Sequence, residues 1–180
     1  MTEPEIETLG STVVYKNRWM SVREDAIVRA DGSAGLYSVV DKPDFAVIAA
    51  ISDDEIHLVE QYRYPVKGRF WEMPQGSWEE QTVDPLALAA AELREETGLI
   101  AGSMQHAGRL YLAYGYSSQA YDVFLASDLE AGENQLDAEE VGLICRAFKL
   151  DQFEAMLTDG TIRDATTIAA YGLLRLKGML

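Results

Sequence analysis

Residues Gly76 to Leu99 read GSWEEQTVDPLALAAAELREETGL. The pair Asp84-Pro85 predicts a helix start, because the carboxylate accepts from the first unbonded N–H groups and proline suits the first helical position. Gly98 predicts its end. Between these caps Glu92, Glu95 and Glu96 stand at i, i+3 and i+4, so three carboxylates project from one side within about one turn. Leu86, Ala89, Ala90 and Leu93 form an adjoining apolar stripe, expected to pin the helix to a core and leave the glutamates along its flank.

Like charges so close together repel, and the C-terminal end of a helix dipole adds to the repulsion. A cation should neutralise them. Arg94 lies between them in sequence but points away from Glu92, so hard divalent ions with oxygen ligands are the better partner, Mg²⁺ above all and Mn²⁺ as its substitute. The plain alternative is a solvated acidic helix face.

Length and charge narrow the field. At 180 residues the chain can bury a proper core as one domain, or as one domain with a small appendage. Its formal net charge of -15 argues against nucleic acid or an anionic membrane as partner, since a polyanion would be repelled except at a local cationic site. A phosphate-bearing substrate would need bound cations to enter. Cys145 is the single cysteine, set in an apolar run, and reads as a core residue of a reduced protein. The acidic N-terminus has no apolar leader and no run of about 18 apolar residues occurs, so a cytoplasmic enzyme is expected.

The acidic segment resembles the Nudix box. Glu92, Leu93, Arg94, Glu95, Glu96, Thr97, Gly98 and Leu99 match the second half of that motif, and Trp71-Glu72-Met73-Pro74-Gln75-Gly76 resembles the strand and turn that lead into it. Two positions depart from the pattern: Ala91 stands where the box has arginine, and its earlier glutamate falls at Thr82 or Val83 because the loop is one residue longer. Those two commonly form a structural ion pair, so their joint replacement by small or apolar groups can be nearly neutral. The resemblance implies an α/β/α sandwich with a mixed sheet. It also implies two or three Mg²⁺ ions held by Glu92, Glu95, Glu96 and the Gln75 carbonyl, with Glu95 also counted among the catalytic acids.

The rest of the chain extends this reading. Thr12–Tyr15, Met20–Val28 and Leu36–Val40 alternate as strands, with Asp31-Gly32 as a hairpin signal. They resemble the N-terminal strands of the ADP-ribose and nucleotide-sugar branch, which implies a domain division at 1–43 and 44–180 and a homodimer. Trp19, beside the turn-like Asn17-Arg18, is the candidate to stack a nucleobase. Phe45–Ile51 is a continuous apolar run, as in a strand covered on both faces. Asp53-Asp54 turns it into Ile56–Arg63. Gln61-Tyr62-Arg63-Tyr64 resembles that branch's QYR segment, making Arg63 and Tyr64 candidate substrate contacts; a guanidinium fork suits a diphosphate.

His57 and His106 read as surface or satisfied residues. Pro65 to Arg69 reads as a loop with two cations bordering the site, and Ala101-Gly102 as a turn. Ser117 and Ser118, in the segment Tyr114 to Gln119, are further candidate contacts. Tyr114 stands where ADP-ribose pyrophosphatases typically carry proline and is closer to the dinucleoside polyphosphate branch. Tyr121–Ala126 and Leu143–Phe148 read as strands, and the acidic loop between them offers Glu139 or Glu140 as the general base the resemblance implies. Asp151–Leu157 and Asp164–Leu176 read as helices, the second amphipathic through Ile168, Ala169, Leu173 and Leu176.

The activity implied is hydrolysis of a nucleoside diphosphate sugar to a nucleoside monophosphate and a sugar phosphate. Two rivals stand beside it: a dinucleoside polyphosphate or nucleoside triphosphate hydrolase using the same metals, and a non-catalytic nucleotide-binding module, motivated by Ala91 and Thr82/Val83.

Overall fold

The computed structural model describes residues 4–77, 84–132 and 142–180, which divide into two compact units. The first contains residues 4–44 and 111–120; the second contains 45–77, 84–110, 121–132 and 142–180.

In the first unit β1 (Ile6–Lys16), β2 (Ser21–Arg29) and β3 (Ala34–Asp41) form an antiparallel meander in that order. Asn17 builds the first turn, its Oδ1 accepting from the Trp19 and Met20 N–H groups at 2.9 Å. Gly32 makes the second at φ +80°, a region open to glycine for want of a Cβ. Every residue of β1 is exposed, including Leu9, Val13, Val14 and Tyr15. The segment 111–120 returns to β3, where Val40 N–H donates to the Tyr116 carbonyl at 2.8 Å.

The second unit is a mixed sheet of seven strands: β4 (Phe45–Ser52), β5 (Glu55–Arg63), β6 (Gly68–Glu72), β7 (Gln75–Gly76), β8 (Leu99–Tyr111), β9 (Ala120–Ala131) and β10 (Ile144–Lys149). Its order is β10-β5-β4-β9-β8, with β6 added to β5 and β7 to β4. β4 and β9 run parallel, while β10, β6, β4 and β7 pair antiparallel with their partners. Helices α1 (Pro85–Thr97), α2 (Leu150–Thr158) and α3 (Ala165–Leu176) cover it.

Period-two alternation along β4 explains the layering. Ala46, Ile48 and Ala50 pack with Leu88, Ala89 and Leu93 of α1 and with Phe124 and Ala126 of β9. Val47 and Ala49 point the other way, into a core with Phe153 and Met156 of α2, Ala170 and Leu174 of α3, and Val123. A strand buried on both faces has to be apolar throughout, which is why this run stands out in the sequence. The result is the α/β/α sandwich expected, preceded in sequence by the antiparallel meander.

Four local expectations are corrected. The buried side of α1 is Leu88, Ala89, Glu92, Leu93 and Glu96, whereas Leu86 is 45% exposed and Ala90 is also outside. The helix is rotated so that two glutamates turn inward, where β7 offers Glu96 a backbone donor and Gly76 leaves room for Glu92. Ala101-Gly102 is not a turn but lies within β8; a Cβ at Gly102 would stand 3.0 Å from that of Asp128, so the glycine permits close approach to β9. Pro65 to Arg69 is not one loop: a 3₁₀ turn over Tyr64–Val66 and a left-handed Lys67 lead into β6, and Arg69 sits in that strand opposite Tyr62. In α3 the buried face is Thr166, Thr167, Ala170 and Leu174, and Ile168, Ala169 and Leu176 are exposed. Thr167 can go inside because its hydroxyl bonds there to Asp164 and the Met73 N–H.

Cys145 lies on β10 opposite Val59, and burial, with the Glu96 charge adding to it, pushes its thiol up to about 11. No helix among the described residues is long and apolar enough to cross a membrane.

Two outcomes follow. In urea denaturation Leu93→Ala should cost about 2–5 kcal/mol for emptying a buried site, and Leu86→Ala less than about 0.5 kcal/mol as a surface change; equal losses would contradict the rotated stripe. At pH 8 a thiol reagent should label Cys145 in the native protein at least about a hundredfold more slowly than in the unfolded chain, since two pKa units separate the thiolate fractions. Labelling at the unfolded rate would contradict it.

Candidate active site

Three segments of the second unit converge. The first is the Met73–Gly76 stretch between β6 and the end of β7, held to β4 by Ala46 opposite Gly76, Val47 opposite Gln75, and the Ile48 N–H donating to the Pro74 carbonyl at 2.9 Å. The second is α1. Its start is capped by Asp84, whose side chain accepts from Leu86 N–H at 3.2 Å; Gly98 closes it in the left-handed conformation at φ +71°, donating to the Arg94 carbonyl. The third is the beginning of α3.

Glu96 joins the first two. It is 1% exposed, and its Oε2 accepts the Gln75 backbone N–H at 2.9 Å. Glu92, one helical turn earlier and 6% exposed, lies over Gly76, where a Cβ would overlap its carboxylate. Glycine is therefore required at 76 by close approach. Two acids four residues apart on a helix have Cβ atoms about 6 Å apart, and two full charges at that distance repel by about 3 kcal/mol at an effective dielectric of 20. Both are held inside by the fold, so the neighbourhood favours cations. Glu95 is less buried, being rotated off this side of the helix.

Beside them lies a pair that the spacing of the box does not reveal. Glu72 is 2% exposed and receives the Arg63 guanidinium through Nε, at 3.2 Å from Oε2, and through Nη2. Burial raises the Glu72 pKa, Arg63 opposes that shift, and the nearby Asp164 charge adds to it. Arg63, half-exposed, is thus held in one orientation by a buried acid. An acid between Trp71 and Met73 in a strand signals a buried charge needing a partner, and Arg63 sits on the adjoining strand. Asp164 and Thr167 likewise do not read as site residues from the sequence; their only signal is that Asp164 opens a helix.

The remaining candidates are spread. Tyr64 is exposed on the 3₁₀ turn. Trp19, half-exposed beneath the Arg18 guanidinium at 4.8 Å, belongs to the first unit, as do Ser117 and Ser118. Ser117 Oγ donates to the Val40 carbonyl at 2.8 Å and Ser118 Oγ to Asp41 Oδ1 at 3.3 Å, so both hydroxyls join the 111–120 segment to β3. Both histidines have partners: His57 shares a hydrogen bond with Ser52 Oγ, and His106 Nε2 lies 2.8 Å from Asp122 Oδ1. Arg69, expected to border the site, binds Glu60 and the Gly142 carbonyl. Glu139, Glu140, Thr82 and Val83 lie outside the described residues.

Among the described residues, no group of three or more His, Cys, Asp or Glu side chains is arranged to hold a metal ion by itself. The donors of Glu92 and Glu96 are nonetheless of the right kind. Mg²⁺ is typically bound through one or two carboxylates, with substrate phosphates and water supplying the other oxygens, so two buried carboxylates against the Gln75–Gly76 backbone fit it in chemistry.

Comparison with known proteins places this arrangement. Residues 6–40 match the family model described as the nucleoside diphosphate sugar hydrolase N-terminal domain. The ADP-ribose pyrophosphatase of Mycobacterium tuberculosis (strain ATCC 25618 / H37Rv) is 30% identical over 171 residues, 94% of this chain and 83% of that protein. A methanol dehydrogenase activator of Bacillus methanolicus is 29% identical over 180 residues, 98% and 96% of the two chains. In structure the chain resembles a solved ADP compounds hydrolase with a TM-score of 0.86, over 99% of this chain and 98% of that one, at 22% identity, which is a likeness of fold. Residues 42–171, which contain the Gln75–Gly76 strand and the helix bearing Glu92 and Glu96, match the NUDIX domain model, and the chain belongs to the Nudix family.

Proposed function

We propose that this protein hydrolyses the diphosphate of ADP-ribose or a related nucleoside diphosphate sugar to a nucleoside monophosphate and a sugar phosphate, in a reaction that depends on Mg²⁺ and accepts Mn²⁺ in its place. The observation that carries this reading is the pair of buried carboxylates, Glu92 and Glu96, fixed against the Gln75–Gly76 strand. Its substrate class is supported by the N-terminal family match and by the name of the M. tuberculosis relative.

In this reading Glu92, Glu95, Glu96 and the Gln75 carbonyl hold the divalent ions. Bound there, the ions would neutralise the diphosphate and polarise phosphorus toward an in-line water. The chain's own residues would do the rest. Arg63, oriented by Glu72, lies on the same sheet and suits a phosphate oxygen as a planar donor. Glu139 or Glu140 takes the proton of the attacking water. In a chain of net charge -15 the cations also admit the substrate, since a diphosphate approaching bare carboxylates would be repelled.

The first unit has a separate role in this proposal. Strands β1 to β3 present the exposed apolar row of β1, which suits association with a second copy, and Trp19 suits a nucleobase. The working form is then a cytoplasmic homodimer.

Glu92→Gln and Glu96→Gln keep shape and remove charge. Each should lower kcat by more than about a hundredfold, the upper range seen when support around a metal site is lost. Neither should lower the melting temperature in metal-free buffer by more than about 4 °C, equivalent to about 1 kcal/mol for a chain of this size. Wild-type turnover in either variant would refute the assigned roles. Across ADP-ribose, GDP-mannose, UDP-glucose and Ap4A with Mg²⁺, cleavage should be fastest among the nucleoside diphosphate sugars. Preference for Ap4A would favour the polyphosphate rival, and calorimetric binding of ADP-ribose without product would favour a nucleotide-binding module.

A further inference from the structure

The N-terminus of α3 lies about ninety residues beyond the Met73–Gly76 stretch in sequence, yet two of its side chains bond directly to it. Thr167 is fully buried, and its hydroxyl makes two hydrogen bonds: it donates to Asp164 Oδ2 at 2.7 Å and accepts the Met73 backbone N–H at 2.9 Å. Asp164 Oδ2 also accepts the Thr167 N–H at 2.8 Å and the Gln75 side-chain amide at 3.3 Å. The helix cap is therefore part of the wall of the site. Its bonds to Met73 and Gln75 flank Pro74, whose carbonyl is taken by β4, while the Gln75 N–H goes to Glu96.

Three consecutive residues are thus fixed by three elements, and Gln75 is held through both its N–H and its side chain. Its N–H is set by α1, its side chain by α3, and the Gly76 that follows it by pairing with Ala46 of β4, so the peptide unit that carries the Gln75 carbonyl is restrained on both sides. A capping aspartate needs only the N–H groups of its own helix. Here the same oxygen also accepts from a glutamine in another strand, and a buried threonine that propensity alone would not place in a core serves as relay. The cost of leaving the Met73 N–H unpaired inside the protein makes the relay hard to replace with an apolar group.

We propose that Asp164 and Thr167 are positioning residues for the divalent-cation site, acting through the Met73–Gln75 backbone that orients the Gln75 carbonyl beside Glu96. This rests on the cation-binding part of the function proposed above, but not on the choice of nucleotide.

The test compares wild type, Thr167→Val, which keeps shape and removes both bonds, and Thr167→Ser, which keeps the hydroxyl. Mn²⁺ affinity is measured by titration calorimetry without substrate, and amide hydrogen exchange is followed at Met73, Gln75 and, as a control, Leu58. Thr167→Val should weaken Mn²⁺ binding by about 10–100-fold, the usual effect of removing an outer hydrogen bond at a metal site. Exchange at Met73 and Gln75 should be faster with Leu58 unchanged, and Thr167→Ser should restore both readouts. Wild-type Mn²⁺ affinity in Thr167→Val overturns the proposal, as does weakened binding with Leu58 exchange raised equally, which would mark global destabilisation. A wild-type protein that binds no Mn²⁺ overturns it together with the cation site. If Thr167→Val loosens Mn²⁺ as expected while wild type cleaves no nucleotide sugar, the substrate reading fails and the positioning role stands.

Discussion

One hydrogen bond organises the candidate site: the Gln75 N–H donating to a glutamate that is almost wholly buried. A carboxylate removed from water is strongly unfavourable unless donors meet it, so wherever Glu96 goes the chain has to bring donors with it. β7 is a two-residue strand whose place on β4 brings one such N–H. Glu92 follows one turn away, and its position over Gly76 excludes any side chain there. The rotation of α1, the short strand and the glycine all follow from burying acids on that helix.

The same constraint explains the neighbouring charges. Glu72 is buried between Trp71 and Met73 and takes the Arg63 fork, so the arginine's orientation is set from within the sheet. An ion pair of this kind adds little to stability by itself, but removing either partner leaves the other stranded. Holding a guanidinium still is useful where a phosphate has to be met in one geometry.

Much of this was legible in the sequence. Asp84-Pro85 and Gly98 delimit α1 as capping chemistry requires, and Phe45–Ile51 is apolar throughout because β4 is covered by α1 on one face and by α2 and α3 on the other. The two helix faces failed for one reason. Periodicity assumes that acids and hydroxyls face water, so it put Leu86 and Ala90 inside in place of Glu92 and Glu96, and Ile168 and Leu176 in place of Thr166 and Thr167. In each helix one of the two, Glu96 and Thr167, has its partner in Gln75 or Met73, distant in sequence and invisible to a local pattern. Gly102 misled in a related way: it marks close packing against Asp128 on β9, not a turn.

The central claim is that the inward acids of α1 form a cation site for a nucleotide's diphosphate. Anomalous diffraction from crystals soaked in Mn²⁺ tests it most directly. A peak within coordination distance of the Glu92 and Glu96 carboxylates and the Gln75 carbonyl is the predicted result. A map without a peak there, from crystals that show Mn²⁺ bound elsewhere on the protein, would contradict it.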